Sequence, residues 1–335
     1  MASVKTELEP VIQEIKAAGS QLRGPDAEIW AARLDRDLVR VQQALAWLLD
    51  HDPTAGLDVA LCLPDYWLLR GKWAEGRRWL ERFTRAATDL TPALRCRALS
   101  TMSGFAFRQG DNETARQFAN EALAIARGLN DAALTVGALT RLARMGMRDN
   151  DPRQSMRLCR EALGLALEVG DEDLSLSPLH CLAEATRMDG DYEEAAKLYR
   201  QSLDLNRTRS DELMIAVETS NLAAVELQIG NLDAAIRLWR ESLVLAHRTA
   251  NHYLLPYPVA GLGEVAAARQ DWDRAARLLG AASALFKASG AAMDPVDVSA
   301  YEEAVAAARL GLSAGFEPIW SSGESMTFDE IVAFA

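Results

Sequence analysis

Small and bulky apolar residues alternate with polar ones along this chain at spacings of three and four, and the whole pattern returns every 40 positions. The segments GDNETARQFANEAL (110–123), NDPRQSMRLCREAL (150–163), GDYEEAAKLYRQSL (190–203) and GNLDAAIRLWRESL (230–243) align without a gap. A weaker copy covers 270–283, and 71–84 fits one residue out of phase. Each full copy carries a small residue (Ala115, Ser155, Ala195, Ala235, Ala275) and a bulky one three positions later (Phe118, Leu158, Leu198, Leu238, Leu278). A second small residue follows (Ala122, Ala162, Ser202, Ser242, Ala282). This spacing puts all three on one helical face, where small side chains let a neighbouring helix approach closely.

A second amphipathic segment precedes each copy, marked by Leu142-Ala143, Leu182-Ala183, Leu222-Ala223 and Leu262-Gly263. Between the two segments lie Gly110-Asp111, Asn150-Asp151, Gly190-Asp191 and Gly230-Asn231. Gly or Asn suits the left-handed residue that ends a helix, and Asp or Asn caps the next. Asp131, Asp171, Asp211 and Asn251 repeat the cap between units. The unit is helix, turn, helix, turn, and the fold class it predicts is all-α, a stacked array with no need of one large core.

The ends of the chain depart from the pattern. A polar helix is expected from Val4 to Ala18, a break at Gly24-Pro25, and one amphipathic helix over 26–50. Helix pairs then run from Leu57 to Ser289, six in all, giving a helical segment 1–54, an array 55–290 and a cap 291–335. Pro64 should kink or interrupt the first helix of the first pair, and Pro256 and Pro258 should bend or delay another. The cap reads as a helix through Tyr301 and Arg309, a Gly-rich turn, and a short helix after the capping-type Thr327…Glu330.

Composition narrows the chemistry. The 335 residues include 36 Lys+Arg and 48 Asp+Glu, a formal charge of −12, which argues against general nucleic-acid or anionic-membrane binding. Only five of the 36 cations are Lys, so the positive charge is nearly all Arg. The four cysteines form no CxxC pair and are expected as free thiols in a reducing cytoplasm. The polar start and the absence of an 18-residue apolar run point to a cytoplasmic chain without a membrane span. Gly71-Lys72 is followed by Trp73, so no P-loop forms there, and no strand-rich segment supports a nucleotide-binding sheet.

The small residues and the Gly-Asp turn resemble the tetratricopeptide repeat, although the period is 40 rather than 34 and several aromatic positions hold Leu, Thr or Ala. A narrower resemblance joins WAARLDRDLVRVQQALAWLLDHD, DYWLLRGKWAEGRRWLERF and the tail RAARLLGAASALFKASGA to the C-terminal arm of bacterial signal-transducing ATPases. Those regulators often end in a LuxR-type helix-turn-helix. The resemblance implies a right-handed superhelical solenoid serving as a sensor or scaffold arm. Without ATPase or helix-turn-helix motifs, the chain is expected to be that arm alone. In a related arm the ligand is a sugar.

Candidate chemistry is sparse. His180 and Glu184 lie four apart on one helical face, too few ligands for a metal or an acid–base site, so a surface or groove hydrogen bond is expected. The acidic runs Asp149-Asn150-Asp151 and Asp171-Glu172-Asp173 lack the Gly and terminal Glu of a calcium loop. Trp47, Trp67, Trp73, Trp79, Trp239 and Trp272 mostly fall at helix-packing positions. The tetratricopeptide resemblance implies that first helices line a concave face. Its groove positions map onto Arg97, Arg108, Arg141, Arg144, Arg148, His180, Glu184 and Arg187, then Asn221, Gln228, Tyr257 and Glu264. An acidic chain thus carries an Arg-rich candidate groove, unless those arginines simply pair with nearby acids or water. The planar guanidinium fork suits carboxylate or phosphate. The expected function is non-catalytic recognition of a protein or peptide partner, expected to be acidic, in a bacterial regulatory system. A sensor for a small anionic metabolite or sugar is the alternative, and an enzyme using the groove the remote one. No cofactor, metal, nucleic acid or membrane partner is expected.

Overall fold

The computed structural model describes residues 2–22, 26–249, 251, 253–289 and 293–334. Among them there are helices and turns and no strand. The chain divides into two compact units, Met1–Leu174 and Ser175–Ala335. In the first, α1 (Ala2–Gln21), α2 (Ala27–Arg36), α3 (Leu38–His51), α4 (Pro53–Ala60), α5 (Pro64–Leu69) and α6 (Trp73–Ala86) precede two regular pairs. These are α7 (Pro92–Arg108) with α8 (Asn112–Leu129), and α9 (Ala132–Arg148) with α10 (Pro152–Val169). The second unit stacks α11 (Glu172–Met188) with α12 (Tyr192–Arg209), α13 (Glu212–Ile229) with α14 (Leu232–Arg248), and α15 (Pro256–Ala268) with α16 (Trp272–Ser289). It closes with α17 (Pro295–Leu312), a 3-10 turn, α18 (Phe316–Glu324) and α19 (Phe328–Phe334). Helices pack in pairs, α7 on α8 and α9 on α10 in the first unit and α13 on α14 and α15 on α16 in the second, the stacked-pair, all-α solenoid architecture that the 40-residue period predicts.

The turns follow from local chemistry. Asp111, Asp131, Asp151, Asp191 and Asp211 each accept a hydrogen bond from the backbone amide three residues on, at 2.9–3.3 Å. A cap of this kind contributes about 1 kcal/mol. Between residues 110 and 270 left-handed residues occur at 110, 130, 150, 170, 190, 210, 230 and 270, a spacing of 20 with position 250 outside the described residues. Gly or Asn supplies six of them, but Ser210 and Gln270 adopt the same conformation at φ 56° and 61°. The small-residue stripe is fully buried, and where it holds serine the hydroxyl is satisfied. Ser155 donates to the Ala143 carbonyl and Ser242 to that of Ala216, each at 2.8 Å, which removes the penalty of burying a polar atom.

The N-terminal region differs from the expectation in two ways. α1 is amphipathic rather than polar, because Leu8, Val11, Ile12, Ile15 and Ala18 are buried against the first unit's core. The expected single helix over 26–50 is two helices broken at Asp37, where the backbone bends. The expected break at Gly24-Pro25 lies outside the described residues. Pro64 begins α5 after an interruption, and Pro256 begins α15, each at a first-turn position that lacks an amide demand. Trp67 and Trp239 are buried, while Trp47, Trp73, Trp79 and Trp272 pack partly buried on the cores. Cys96, Cys159 and Cys181 are buried free thiols, and Cys62 is half-buried and free. Thr327 and Glu330 form the capping box that starts α19.

Candidate functional site

In the first unit the candidate residues stand on α7 and α9, which pack directly together. Arg97, Gly104 and Arg108 follow one stripe of α7, and Arg141, Arg144 and Arg148 one stripe of α9, at the spacings that share a helical face. Arg97, Arg108, Arg144 and Arg148 are exposed. Arg97 pairs with Asp58 at 3.4 Å, an ion pair half in solvent and therefore weak. Arg148 donates to the Phe107 carbonyl at 2.8 Å and lies over the Phe107 ring at 4.5 Å. Arg141 differs from these. Its guanidinium fills the space beside Gly104 where any other residue would place a Cβ. Its Nε is buried and has no hydrogen-bond partner. Burial first, then the like charges of Arg144 and Arg108, push its pKa down to about 10.

In the second unit Arg187, Asn221, Tyr257 and Glu264 line one small cleft together with Met293 and Asp297. The cleft encloses about 30 Å³, room for one or two waters, whereas metabolite pockets run to roughly 300–1,000 Å³. The chain's own cap segment fills it. Asp297, in the first turn of α17, forms an ion pair with Arg187, and the Asp294 amide donates to the Tyr257 hydroxyl at 3.2 Å. Glu264 is pushed up to about 8, chiefly by burial and then by the charge of Asp297, with Arg187 opposing.

His180 and Glu184 belong to a different arrangement. The His180 ring is buried, with Nδ1 2.9 Å from Glu218 and Nε2 3.3 Å from Glu184. Glu218 is fully buried and accepts the Ser202 hydroxyl at 2.6 Å, so three helices meet on one carboxylate. Burial works against the charged ring, but Glu184 and Glu218 outweigh it and hold the His180 pKa well above its ordinary value. The arrangement joins α11, α12 and α13. Among the described residues no three His, Cys, Asp or Glu side chains are grouped to hold a metal ion, and no helix is long and apolar enough to cross a membrane.

Three residues that shape these sites escaped sequence reasoning. Glu218 stands 80 and 120 positions beyond Ala138 and Ala98, so a carboxylate at an alanine position of the repeat was a readable signal. Gly104 lies opposite Arg141 with no marker of its own. Asp297 belongs to the cap, where the period ends, and nothing in its neighbours points to a partner 110 residues earlier.

A tetratricopeptide-repeat family model matches residues 179–213, from within α11 to the start of α13. No curated protein matches the sequence. Among solved structures, a Rap protein complexed with competence and sporulation factor superimposes with a TM-score of 0.61 at 14% identity, covering 94% of this chain and 85% of that one. A signal-transduction ATPase with numerous domains and a tetratricopeptide-repeat sensor, from Pyrococcus horikoshii, gives 0.60 at 14% identity, over 97% of this chain and 52% of that one. Aspartyl phosphate phosphatase F from Bacillus subtilis gives 0.53 at 9% identity, over 91% and 94%. At these identities the likeness establishes the fold: a scaffold of tetratricopeptide-like repeats.

Proposed function

We propose that the chain is a non-catalytic recognition scaffold whose first helices hold an acidic segment of a partner protein within a bacterial regulatory system. The observation that carries this reading is the row of exposed arginines on α7 and α9, set in a chain of formal charge −12. Arginine keeps its charge at any physiological pH and grips carboxylates two-handed, so a row of such forks suits an extended acidic segment. A rigid repeat surface adds affinity by presenting those contacts with little to reorder on binding. The Rap likeness supports the use of such a fold in a complex, since that protein was solved with a bound factor.

The test uses a hexaglutamate peptide as probe and the full-length chain with Arg144→Glu and Arg148→Glu together. Both side chains are exposed, so helicity should be unchanged by circular dichroism. Binding measured by calorimetry should weaken at least tenfold in the variant and fall with rising salt in the parent. Equal binding by parent and variant sinks the assignment of this face.

A further inference from the structure

We infer that the first two turns of α17 are a latch over the cleft lined by α11, α13 and α15, held shut by the ion pair of Asp297 with Arg187, and that ionisation of Glu264 in the same cleft releases it. All of its parts lie in the second unit, and none belongs to the partner-binding face of α7 and α9.

The two ends of α17 are held by different forces. Its C-terminal half is anchored by apolar packing, with Ala304 and Ala308 buried in one cluster with Ala275, Leu279 and Phe316. Tyr301 adds a hydrogen bond to the Leu279 carbonyl at 3.2 Å. From Met293 up to Ala304 no described side chain is buried, and Val296 is 38% exposed. The contacts that fasten this end are polar: Asp297 on Arg187, and the Asp294 amide on the Tyr257 hydroxyl at 3.2 Å. Apolar burial does not respond to pH, whereas an ion pair shared with a third ionisable group does. Because α17 is one helix anchored beyond Ala304, its first turns leave the cleft by unwinding.

The charges around Glu264 balance only while it keeps its proton. α11 brings one cation, Arg187, and α17 one carboxylate, Asp297. α13 offers Ser220 and Asn221 and α14 offers Trp239, none of them charged. α12 brings the buried Tyr199 hydroxyl, which feels both Arg187 and Asp297. α17 adds Tyr301, which feels Glu264, and Asp294, which is pushed up by burial and then by Asp297 and Glu184. No charge on α16 acts on Glu264. An ionised Glu264 therefore leaves two carboxylates on one guanidinium, with Asp294 as a third beyond them. Glu264 stands in mid-helix between buried Gly263 and Val265, so it stays, and the repulsion is relieved by the departure of Asp297. The sign follows from its titration, which lies at about 8 in the closed form and returns toward 4.5 when the cleft opens. Closure is favoured fully below 4.5, weakens as pH rises to about 8, and changes little above that.

The experiment follows hydrogen exchange of the full-length chain by mass spectrometry between pH 6 and 9, with each rate divided by the intrinsic rate at that pH. In the parent, the amides of residues 299–303 should lose protection at least about tenfold between pH 6 and 8.5, then level off. Those of residues 304–312 and of α16 should keep theirs. Glu264→Gln, which holds the neutral shape at every pH, should keep residues 299–303 protected to within about twofold over the whole range. Asp297→Asn removes the latch charge and should leave residues 299–303 exchanging fast already at pH 6, with no further change on raising it. This second variant decides the matter should Glu264→Gln fold poorly. A parent whose protection is flat from pH 6 to 8.5 overturns the latch, as does a Glu264→Gln chain that follows the parent's pH curve. So does an Asp297→Asn chain as protected as the parent at pH 6. Loss of protection in α13 to α16 together with α17 also overturns it, because the whole unit is then opening and not its first turns.

Discussion

Replacing Asp297 with alanine strips Arg187 of the carboxylate that neutralises it, and the structure sets the size of the effect. The two side chains are 20% and 10% exposed, so the pair is largely out of solvent. Breaking a buried pair by deleting one partner costs about 3–5 kcal/mol, since the remaining charge stays buried alone. Glu264 offsets part of that loss. Its carboxyl lines the same cleft and is held neutral at pH 7 partly by the charge of Asp297. With Asp297 gone it ionises more easily and takes over Arg187. Asp297→Ala alone should therefore cost about 2 kcal/mol at pH 7, and Asp297→Ala with Glu264→Gln should reach about 3–5 kcal/mol. Hydrogen-exchange mass spectrometry reads the opening free energy of α11 and α17 separately from the rest of the chain. A single variant within about 0.5 kcal/mol of the parent, or a double variant no worse than the single, would refute the reasoning.

Other outcomes follow from the same geometry. Glu264 keeps its proton to about pH 8 in the fold but releases it near 4.5 when unfolded. Its contribution to stability is therefore complete below 4.5 and declines as pH rises to about 8. Glu264→Gln should flatten that decline, which runs at about 1.4 kcal/mol per pH unit, and melt above the parent at pH 8 but not at pH 4. His180 has the raised pKa of a histidine gaining partners, so its stabilisation is complete below about 6.5 and lost as pH rises through the folded value. His180→Ala should therefore fall furthest behind the parent in thermal melts below pH 6.5, with the gap closing at alkaline pH. Gly261→Ala would drive a methyl into the Trp239 ring and should cost about 1–3 kcal/mol by denaturant unfolding, with the Trp239 fluorescence altered.

The fold was legible where interactions are local. The stripe through Ala115, Phe118 and Ala122 and the Asp caps act within one or two turns, so their spacing in the sequence carries the helix pairs and turns directly. The break at Asp37 was not legible, because residues 26–50 keep an amphipathic pattern across it and tertiary packing decides the bend. Exposure in α1 was misread for a related reason: Leu8, Ile12 and Ile15 are diluted by charged neighbours and gain meaning only beside a partner helix. At the candidate site, the repeat register located Arg187, Asn221, Tyr257 and Glu264, which share one cleft. It had no means of revealing that Asp297 fills that cleft, or that His180 turns toward Glu218. Those pairings join elements 110 and 38 residues apart, and periodicity carries no information about which side chains meet at such range.

On the proposed reading, α7 and α9 present the working face of the molecule. Hydrogen-exchange protection of the full-length chain by hexaglutamate tests it most directly. Slowed exchange is expected in Pro92–Arg108 and Ala132–Arg148, with α8 and α10 unchanged. Protection confined to α8 and α10, or to the second unit, would contradict it.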